Sequence, residues 1–299
     1  MKILLREPEE WRNHLMLNVR ESLNLAGHVA EFADRSLLEM KMDPGRVARF
    51  VKRTPADAWV VTAGSREVLE WFARQPIPSF ALFGRLRTVP LAGASTLKAP
   101  VIASLMRRLG ALGHRRIVFI VREEHRRPDP NPAVRTFLEE LEALGVGHGP
   151  YNIPNWEETP RGFHQCLVSL FQHTPPTALI IDKLALYFVI LHFLAQRGIR
   201  PLWDVSMVCL DPIPSANWFT PMISDVRYDS RKWIRRILRW AHNVARGIDD
   251  RRQAFAKVEF MEGGTIGPAP RKKYSSPFRR CCMAGAAGAC IGHGNPQAA

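Results

Sequence analysis

The sequence predicts an α/β fold made of two doubly wound parallel-sheet lobes joined by a multi-strand hinge. Two observations support this prediction. Short apolar runs that are typical of buried strands alternate with segments of helical periodicity, and this alternating pattern occurs twice along the chain. Strands that alternate with helices favour parallel sheets covered by helices on both faces, with right-handed crossovers. The 299 residues are enough for two lobes with sizeable cores.

The first series of elements ends at Gly84. Apolar residues at helical spacing predict a helix from Glu10 to about Leu25, which Gly27 ends. Pro44 starts a second helix, and Ser65 is a candidate N-cap for a third. The predicted strands are 3–5, 28–32, 57–61 and 80–84, and the predicted helices are 10–25, one that starts at 44, and 66–74.

The second series follows residues 85–97, which look extended and irregular. Gly113 suits the left-handed cap of a helix over 98–112, and Arg115 and Arg116 follow at its negative end, where cations are favoured. Helix termination therefore explains this basic cluster. The predicted strands are 116–121, 177–182 and 205–210, with an extended stretch at 148–153, and the predicted helices are 98–112, 133–144, 160–173 and 184–197.

The net charge of +14 is unevenly placed. Residues 271–299 hold five basic residues and no acid, so the first 270 residues carry +9. A basic body indicates a polyanionic partner. The alternative is an arginine-rich sequence with solvated helix faces. The net charge alone does not decide between these two interpretations.

Membrane and secretory classes are not indicated. The longest apolar stretches, 117–121 and 178–181, are far shorter than the roughly 20 residues that a membrane span requires. The N-terminus lacks the long apolar region of a signal peptide. We therefore expect a cytoplasmic protein.

The five cysteines fit a reducing compartment. Cys166 and Cys209 lie in apolar surroundings and are expected to be core thiols. The cysteines of the C-terminal segment and His293 match no common zinc spacing. We expect no metal and no cofactor.

Five segments match a known pattern in the same order. They are LGHRRIVFI, PPTALIIDKLALYFVILHFLAQRGIRP, WDVSMVCLDPIP, FTPMISDVRYD and VEFMEGGTIGPAP. The matching positions of the second and third segments are Pro176, Thr177, Ala178, Asp182, Ala185, Gly198, Pro201, Asp204, Val205, Ser206 and Asp211. Over about residues 1–270 the chain resembles the sensor domains of the lactose-repressor/galactose-repressor (LacI/GalR) family of bacterial transcription regulators.

The resemblance implies the fold of periplasmic sugar-binding proteins and a sensor for a small polar effector, such as a sugar or sugar derivative, in the cleft between the lobes. It also implies a homodimer formed through first-lobe surfaces, whose arrangement changes when the cleft closes. In the family, a repressor or other regulator contacts DNA through a helix-turn-helix unit that precedes the sensor. The first predicted strand begins near Lys2, so we expect DNA contact only through a unit that this chain does not contain.

The resemblance also divides the chain into domains. The first lobe is expected at 1–95 plus 221–250, and the second lobe at 96–220 plus 251–270. Residues 271–299 form a basic Gly/Ala-rich tail that is expected to be disordered. Two positions differ from the family pattern: Ile181 replaces an asparagine, and residues 130–133 (PNPA) lack the arginine that commonly holds sugar hydroxyls.

Candidate ligand residues follow the predicted strands, because ligands of open α/β sheets bind beyond the carboxyl ends of the strands. Asp182 and Asp211 follow two strands of the second lobe, where carboxylates can accept hydroxyl hydrogen bonds. Asp182 is alternatively the N-cap of the next helix, and Asp211 alternatively fixes a turn before Pro212. Arg122 follows a third strand and is alternatively solvated.

Three further candidates complete the predicted site. Trp218 precedes the crossing strand and either stacks on a sugar ring or seals the hinge. Arg6 and Ser65 follow strands of the first lobe and are placed to reach the same ligand. All six residues belong to a binding site, and none is predicted to be catalytic.

Enzymatic function is not predicted. The sequence has no Gly-x-Ser-x-Gly elbow, Walker loop or His-Glu-x-x-His motif. The glycine-rich stretch 263–267 follows the last predicted strand with no helix behind it, so it lacks a helix N-terminus for phosphate. The alternative to a regulator is a cytoplasmic or exported solute-binding protein of a sugar transport system with the same fold.

Overall fold

The structure is a computed structural model that describes residues 1–270 apart from 128, 173 and 214. It divides into two compact units. Unit 1 comprises Met1–Ser104 and Val226–Phe260, and unit 2 comprises Leu105–Asp225 and the chain from Met261 onward. The predicted lobe boundaries remain a prediction. The tail predicted at 271–299, with its cysteines, lies outside the described residues.

Unit 1 is built on a parallel six-stranded sheet with the strand order β10-β5-β4-β3-β1-β2. Its strands are β1 Lys2–Leu4, β2 Glu31–Phe32, β3 Trp59–Thr62, β4 Ser79–Leu82, β5 Ala92–Leu97 and β10 Gln253–Lys257. Its helices are α1 His14–Leu25, α2 Pro44–Arg53, α3 Arg66–Ala73 and α9 Arg231–Ala245, with a 3-10 helix at Pro8–Arg12. Helix α4, Ala99–Ala111, begins in unit 1 and ends in unit 2.

Alternate residues of β1, β3 and β4 enter different cores, because successive side chains point to opposite faces of a sheet. Ile3 and Val60 pack in a cluster with residues of α1 and α9, whereas Leu4 and Val61 pack in a second cluster with residues of α2 and α3. The four residues of β3 are all buried. This burial on both faces explains the unbroken apolar runs in the sequence.

Unit 2 contains the parallel sheet β6-β7-β8. Its strands are β6 Ile117–Ile120, β7 Ala178–Ile181 and β8 Ser206–Cys209, and its helices are α5 Glu123–Arg126, α6 Pro132–Ala143, α7 Pro160–Gln172 and α8 Leu184–Gln196. A 3-10 helix covers Ala216–Trp218, and β9 Asp225–Arg227 pairs with β11 Glu259–Met261 in a two-stranded sheet. The predicted α/β class with parallel sheets is confirmed.

Two local predictions are wrong. Residues 92–97 are extended as predicted but not irregular: they form the six-residue strand β5, which pairs with β4 on one side and β10 on the other. Residues 148–153, predicted to be extended, form no strand. The N–H of Phe119 donates a hydrogen bond to the carbonyl of Asn152 at 2.8 Å, and the Asn152 side chain accepts one from the N–H of Gly149 at 3.1 Å. This side-chain bond favours a turn over a ladder.

Within the described residues, no helix is both long and apolar enough to cross a membrane.

Candidate ligand-binding site

Three of the predicted residues lie at one edge of the unit 2 sheet. The strands β6, β7 and β8 are parallel and in register, with Ile120 opposite Ile181 and Ile181 opposite Cys209. Their carboxyl ends therefore meet at one edge, and the residues that follow them there include Arg122, Asp182 and Asp211. Such an edge is where open α/β sheets bind ligands.

Asp182 is buried at this edge and lies against a histidine. Its relative exposure is 3%, and its Oδ2 atom is 3.2 Å from Nε2 of His125. The same imidazole nitrogen is 3.6 Å from Oε1 of Glu124. A buried carboxylate needs a hydrogen-bonding or charged partner to offset its desolvation, and His125 lies close enough to Asp182 to act as one, with a side chain that is 22% exposed.

The short helix α5 that holds His125 is anchored by its last residue. Arg126 is buried and donates hydrogen bonds to the carbonyl of Pro154 at 3.1 Å and to Oδ1 of Asn155 at 2.6 Å. Its guanidinium also lies over the ring of Trp156. Burial lowers the pKa of Arg126, although Glu123 and Glu158 oppose that shift. These contacts hold α5 and therefore help to position His125.

Asp211 caps the helix that follows the neighbouring strand. Its Oδ2 accepts a hydrogen bond from the N–H of Leu184, the first residue of α8, at 3.2 Å. The N-cap residue Lys183 makes no side-chain cap. The capping role that the sequence allowed for Asp182 is therefore provided by Asp211, which is half-buried.

Arg122 is tied to the loop before α7. Its Nη1 lies 3.9 Å from Oε2 of Glu158, and the other oxygen of Glu158 accepts the N–H of Glu123 at 2.7 Å. The Arg122 side chain is 16% exposed, so it is neither fully solvated nor fully enclosed.

Trp218 is 86% exposed and ends the 3-10 helix Ala216–Trp218. The ring of the following residue, Phe219, lies 6.4 Å from that of Phe188. The exposure of Trp218 leaves its indole face available for stacking, and it excludes a packing role for this side chain within unit 2.

Arg6 and Ser65 lie at the carboxyl edge of the unit 1 sheet. Arg6 is buried, and its N–H donates to Oγ1 of Thr62 at 2.9 Å and to Oε2 of Glu10 at 3.0 Å. Ser65 is the N-cap of α3, where its Oγ accepts the N–H of Val68 at 3.3 Å. Both residues therefore have local structural contacts, and their part in ligand binding remains a prediction.

Two polar residues at the unit 2 edge were not among the predicted site residues. His125 belongs to the sequence Glu123-Glu124-His125, but adjacent charged residues on a loop are a weak signal. Asp225 is 1% exposed, and its Oδ2 accepts the N–H of Ile213 at 2.9 Å, which fixes the loop after β8. The sequence places Asp225 in the segment FTPMISDVRYD, but nothing in that segment shows that this carboxylate is buried.

The described cavities give no independent support for this edge. A cavity of about 840 Å³ lies in unit 1 and is lined by residues of α1 and β2, including Arg20, Asn24 and Phe32. None of the six predicted residues lines it. Within residues 1–270, apart from the three omitted positions, no group of three or more His, Cys, Asp and Glu side chains is placed to hold a metal ion.

Comparison with known proteins identifies the fold. The family described as "Periplasmic binding protein-like domain" matches residues 106–266. The transcriptional repressor ascG of Escherichia coli is 16% identical with a TM-score of 0.66, and the match covers 89% of this chain and 98% of that one. A LacI family transcriptional regulator of Enterococcus faecium with bound ribose is 14% identical with a TM-score of 0.69 and the same coverage.

A third solved structure agrees with these two. The LacI-type transcription regulator of Bifidobacterium animalis subsp. lactis is 16% identical with a TM-score of 0.70, again over 89% of this chain and 98% of that one. A comparison with curated protein sequences finds no match. The predicted resemblance to this group of sensor domains is confirmed at the level of fold.

Proposed function

Because this chain belongs to the family of periplasmic binding protein-like domains, we propose that it is the effector-sensing domain of a bacterial transcription regulator. Its effector is a small polar molecule, with a sugar or sugar derivative as the first class to test. The proposed role is binding and not catalysis.

The observation that best supports this proposal is the buried Asp182 beside His125 at the carboxyl edge of β6, β7 and β8. A carboxylate accepts hydrogen bonds from hydroxyl groups, and an imidazole donates or accepts one. Arg122 and Asp211 at the same edge add a donor and an acceptor. Sugars need several such directed hydrogen bonds, and charged groups make the strongest ones.

We choose sugars as the first ligands to test because one similar solved structure contains a sugar. The regulator of Enterococcus faecium was solved with ribose, so pentoses are natural first probes. The residues of this chain differ from the family pattern at Ile181 and at residues 130–133. We therefore propose that His125 and Arg122 replace the missing asparagine and arginine as hydrogen-bond donors. This replacement predicts that the chain prefers different ligands from other members of the family.

Regulation follows from binding by a shift between two conformations. In this proposal the effector binds in a cleft between the lobes, with Arg6 and Ser65 contributing from the first lobe and Trp218 stacking on the ring. Only an effector with different affinities for the open and closed conformations can shift their populations. The sensor acts as a homodimer through first-lobe surfaces, in the cytoplasm, and a helix-turn-helix unit contacts the operator.

The test is a thermal-unfolding screen against a panel of pentoses, hexoses and their acid and phosphate derivatives. A ligand at 100 times its Kd stabilises a protein by about 2.7 kcal/mol, which corresponds to a rise in Tm of several degrees. We expect one or a few closely related sugars to produce such a rise. Unchanged melting curves across the whole panel would contradict the proposal.

Matched variants test the site itself. Asp182→Asn removes the carboxylate charge beside His125 and should abolish the ligand-induced rise in Tm. Glu139→Gln makes the same isosteric change on the exposed face of α6 and should retain the rise. A rise that survives Asp182→Asn would place the ligand elsewhere.

A further inference from the structure

One face of α9 in unit 1 is a continuous row of cations. Arg231, Arg235 and Arg239 are four residues apart and therefore share one side of the helix. With the flanking Lys232 and with Arg246 just beyond the helix, they form what we call the basic face of α9, and all five residues are exposed. The opposite side of the helix is apolar and buried through Trp233, Ile237, Trp240 and Ala241.

The basic face has little local neutralisation. Arg231 pairs with Asp229 at 2.8 Å. In the described part of the chain, no acidic oxygen lies within 4.0 Å of a side-chain nitrogen of Lys232, Arg235, Arg239 or Arg246. Helix α9 itself contains no Asp or Glu. Like charges four residues apart on a helix repel each other and destabilise it. Binding of a polyanion would neutralise these charges and relieve the repulsion.

Arg236, the remaining cation of α9, has a structural role that the basic face does not share. Arg236 points inward, where Nη1 and Nη2 donate to the two oxygens of Asp250 at 3.1 and 2.9 Å. Its side chain is 10% exposed and that of Asp250 is 1% exposed. The five cations of the basic face have no such role in the core.

Within residues 1–270 the positive charge is concentrated in the same unit. Residues 1–104 and 226–260 contain 25 Lys and Arg against 15 Asp and Glu, a net charge of +10. Residues 105–225 and 261–270 contain 12 against 13, a net charge of −1. A generally arginine-rich composition would charge the described parts of both units alike, so solvated helix faces do not account for this distribution.

We propose that the basic face of α9 binds double-stranded DNA through its backbone phosphates. Helix α9 has 15 residues, about 22 Å at roughly 1.5 Å per residue, and duplex DNA carries on the order of a dozen phosphates over that length. Four of the five cations are arginines, whose guanidinium groups bind phosphate with two hydrogen bonds. The contact is independent of sequence, because it involves no base edges.

Other polyanions fit the basic face less well. Single-stranded nucleic acid is bound by exposed aromatic side chains on which bases stack, but the tryptophans of α9, Trp233 and Trp240, are buried. A protein partner usually needs apolar or aromatic anchors at the centre of an interface, and the outward positions of the row are charged. This proposal differs from the expectation that a separate unit makes every DNA contact, and it does not rest on the proposed effector site.

The experiment measures binding of the full chain to a fluorescent 24-base-pair duplex of mixed sequence by anisotropy, from about 25 to 200 mM KCl. Each neutralised phosphate contact adds about 0.9 to the slope of log affinity against log salt. We expect Arg235→Gln/Arg239→Gln to lower the slope by about 2 and the affinity at 50 mM KCl by about tenfold or more. The charge-conserving variant Arg235→Lys/Arg239→Lys should keep the slope of the wild type.

The control is Arg135→Gln/Arg161→Gln, which removes the same charge from exposed helical positions of unit 2. It should bind DNA like the wild type. Equal losses in the two glutamine variants would show that net charge alone attracts DNA and would overturn the proposal. Absence of binding at 25 mM KCl, or tighter binding to polyglutamate than to the duplex, would overturn it as well.

Discussion

The carboxylate of Asp211, at the end of β8, caps α8 by accepting the N–H of Leu184 at 3.2 Å. Helix α8 follows β7 in the chain, so this hydrogen bond joins the ends of two neighbouring strands. A side chain just beyond the third strand thus fixes the start of the helix that follows the second strand. The same residue is a candidate ligand contact, so its structural and binding roles must be separated by experiment.

Asp211→Ala should lower the free energy of unfolding by about 1 kcal/mol, the typical cost of losing an N-terminal helix cap. Asp211→Asn keeps a side-chain oxygen that can accept from Leu184 and should lose much less. Urea denaturation followed by circular dichroism measures both variants. Equal stability of the alanine variant and the wild type would show that the hydrogen bond contributes nothing to α8.

Asp250 of unit 1 accepts hydrogen bonds from three side chains. Besides Arg236, it accepts hydrogen bonds from Nε of Arg252 at 3.0 Å and from Nδ2 of Asn243 at 2.8 Å. These donors hold the pKa of Asp250 below its usual range. Asp250→Ala leaves Arg236 largely buried without its counter-charge, and removal of one partner of a buried ion pair typically costs about 3–5 kcal/mol.

The neighbouring residue provides the control for Asp250. The Asp249 side chain is 72% exposed and pairs with Arg251, whose side chain is 58% exposed. Asp249→Ala should change the free energy of unfolding by less than about 1 kcal/mol, as expected for a surface ion pair. Chemical denaturation of the two alanine variants under the same conditions makes the comparison, and similar losses would contradict the assigned role of Asp250.

His114 should make unit 2 less stable in mild acid. It is fully buried, its Nε2 donates to the carbonyl of Gly267 at 2.9 Å, and burial lowers its pKa. The unfolded chain takes up a proton below about pH 6.5, whereas the folded chain does so only at lower pH. The free energy of unfolding should therefore fall as the pH decreases from 7 towards 5.

Replacement by glutamine tests this pH dependence. His114→Gln removes the titrating group and should flatten the stability profile between pH 7 and 5, at some cost in stability at pH 7. Burial and the nearby His242 also lower the pKa of His28 in unit 1, so His28→Gln should remove a further part of the slope. An unchanged profile in His114→Gln would show that His114 does not titrate differently on unfolding.

Gly93 in β5 has no room for a side chain. A Cβ atom there would lie 2.5 Å from the carbonyl oxygen of Ala81 and would clash with Leu86. Gly93→Ala should cost about 1–3 kcal/mol or more, the range for overpacking in a core. Gly149→Ala, where no atom lies within 4 Å of the added Cβ, is the control and should be nearly neutral in thermal unfolding.

The predicted elements that agree with the structure have strong local signals. The strands β6 and β7 are unbroken apolar runs, and β3 is apolar up to its last residue, Thr62. These runs are apolar because the strands are buried on both faces. Strand β5, with the sequence AGASTL, has small and polar side chains. Its strand conformation depends on pairing with β4 and with β10, which lies about 160 residues later in the chain, so no local pattern predicts it.

The sequence predicts those site residues that directly follow a recognisable strand. Asp182 and Asp211 were found because each directly follows an apolar strand. The sequence does not show which of the two aspartates caps α8. That role depends on the distance in space between Asp211 and the first residue of α8, Leu184. His125 becomes a candidate only when α5 places its imidazole beside Asp182.

The pairing of β10 with β5 has a consequence for synthesis on the ribosome. Gln253–Lys257 cannot complete the first sheet until the intervening residues, including all of β6, β7 and β8, have been translated. The nascent unit 1 therefore exposes the open side of β5 while the second unit is already able to form its own sheet. We expect the later unit to gain protease resistance first, and the amino-terminal one to depend on chaperones until the last strand emerges.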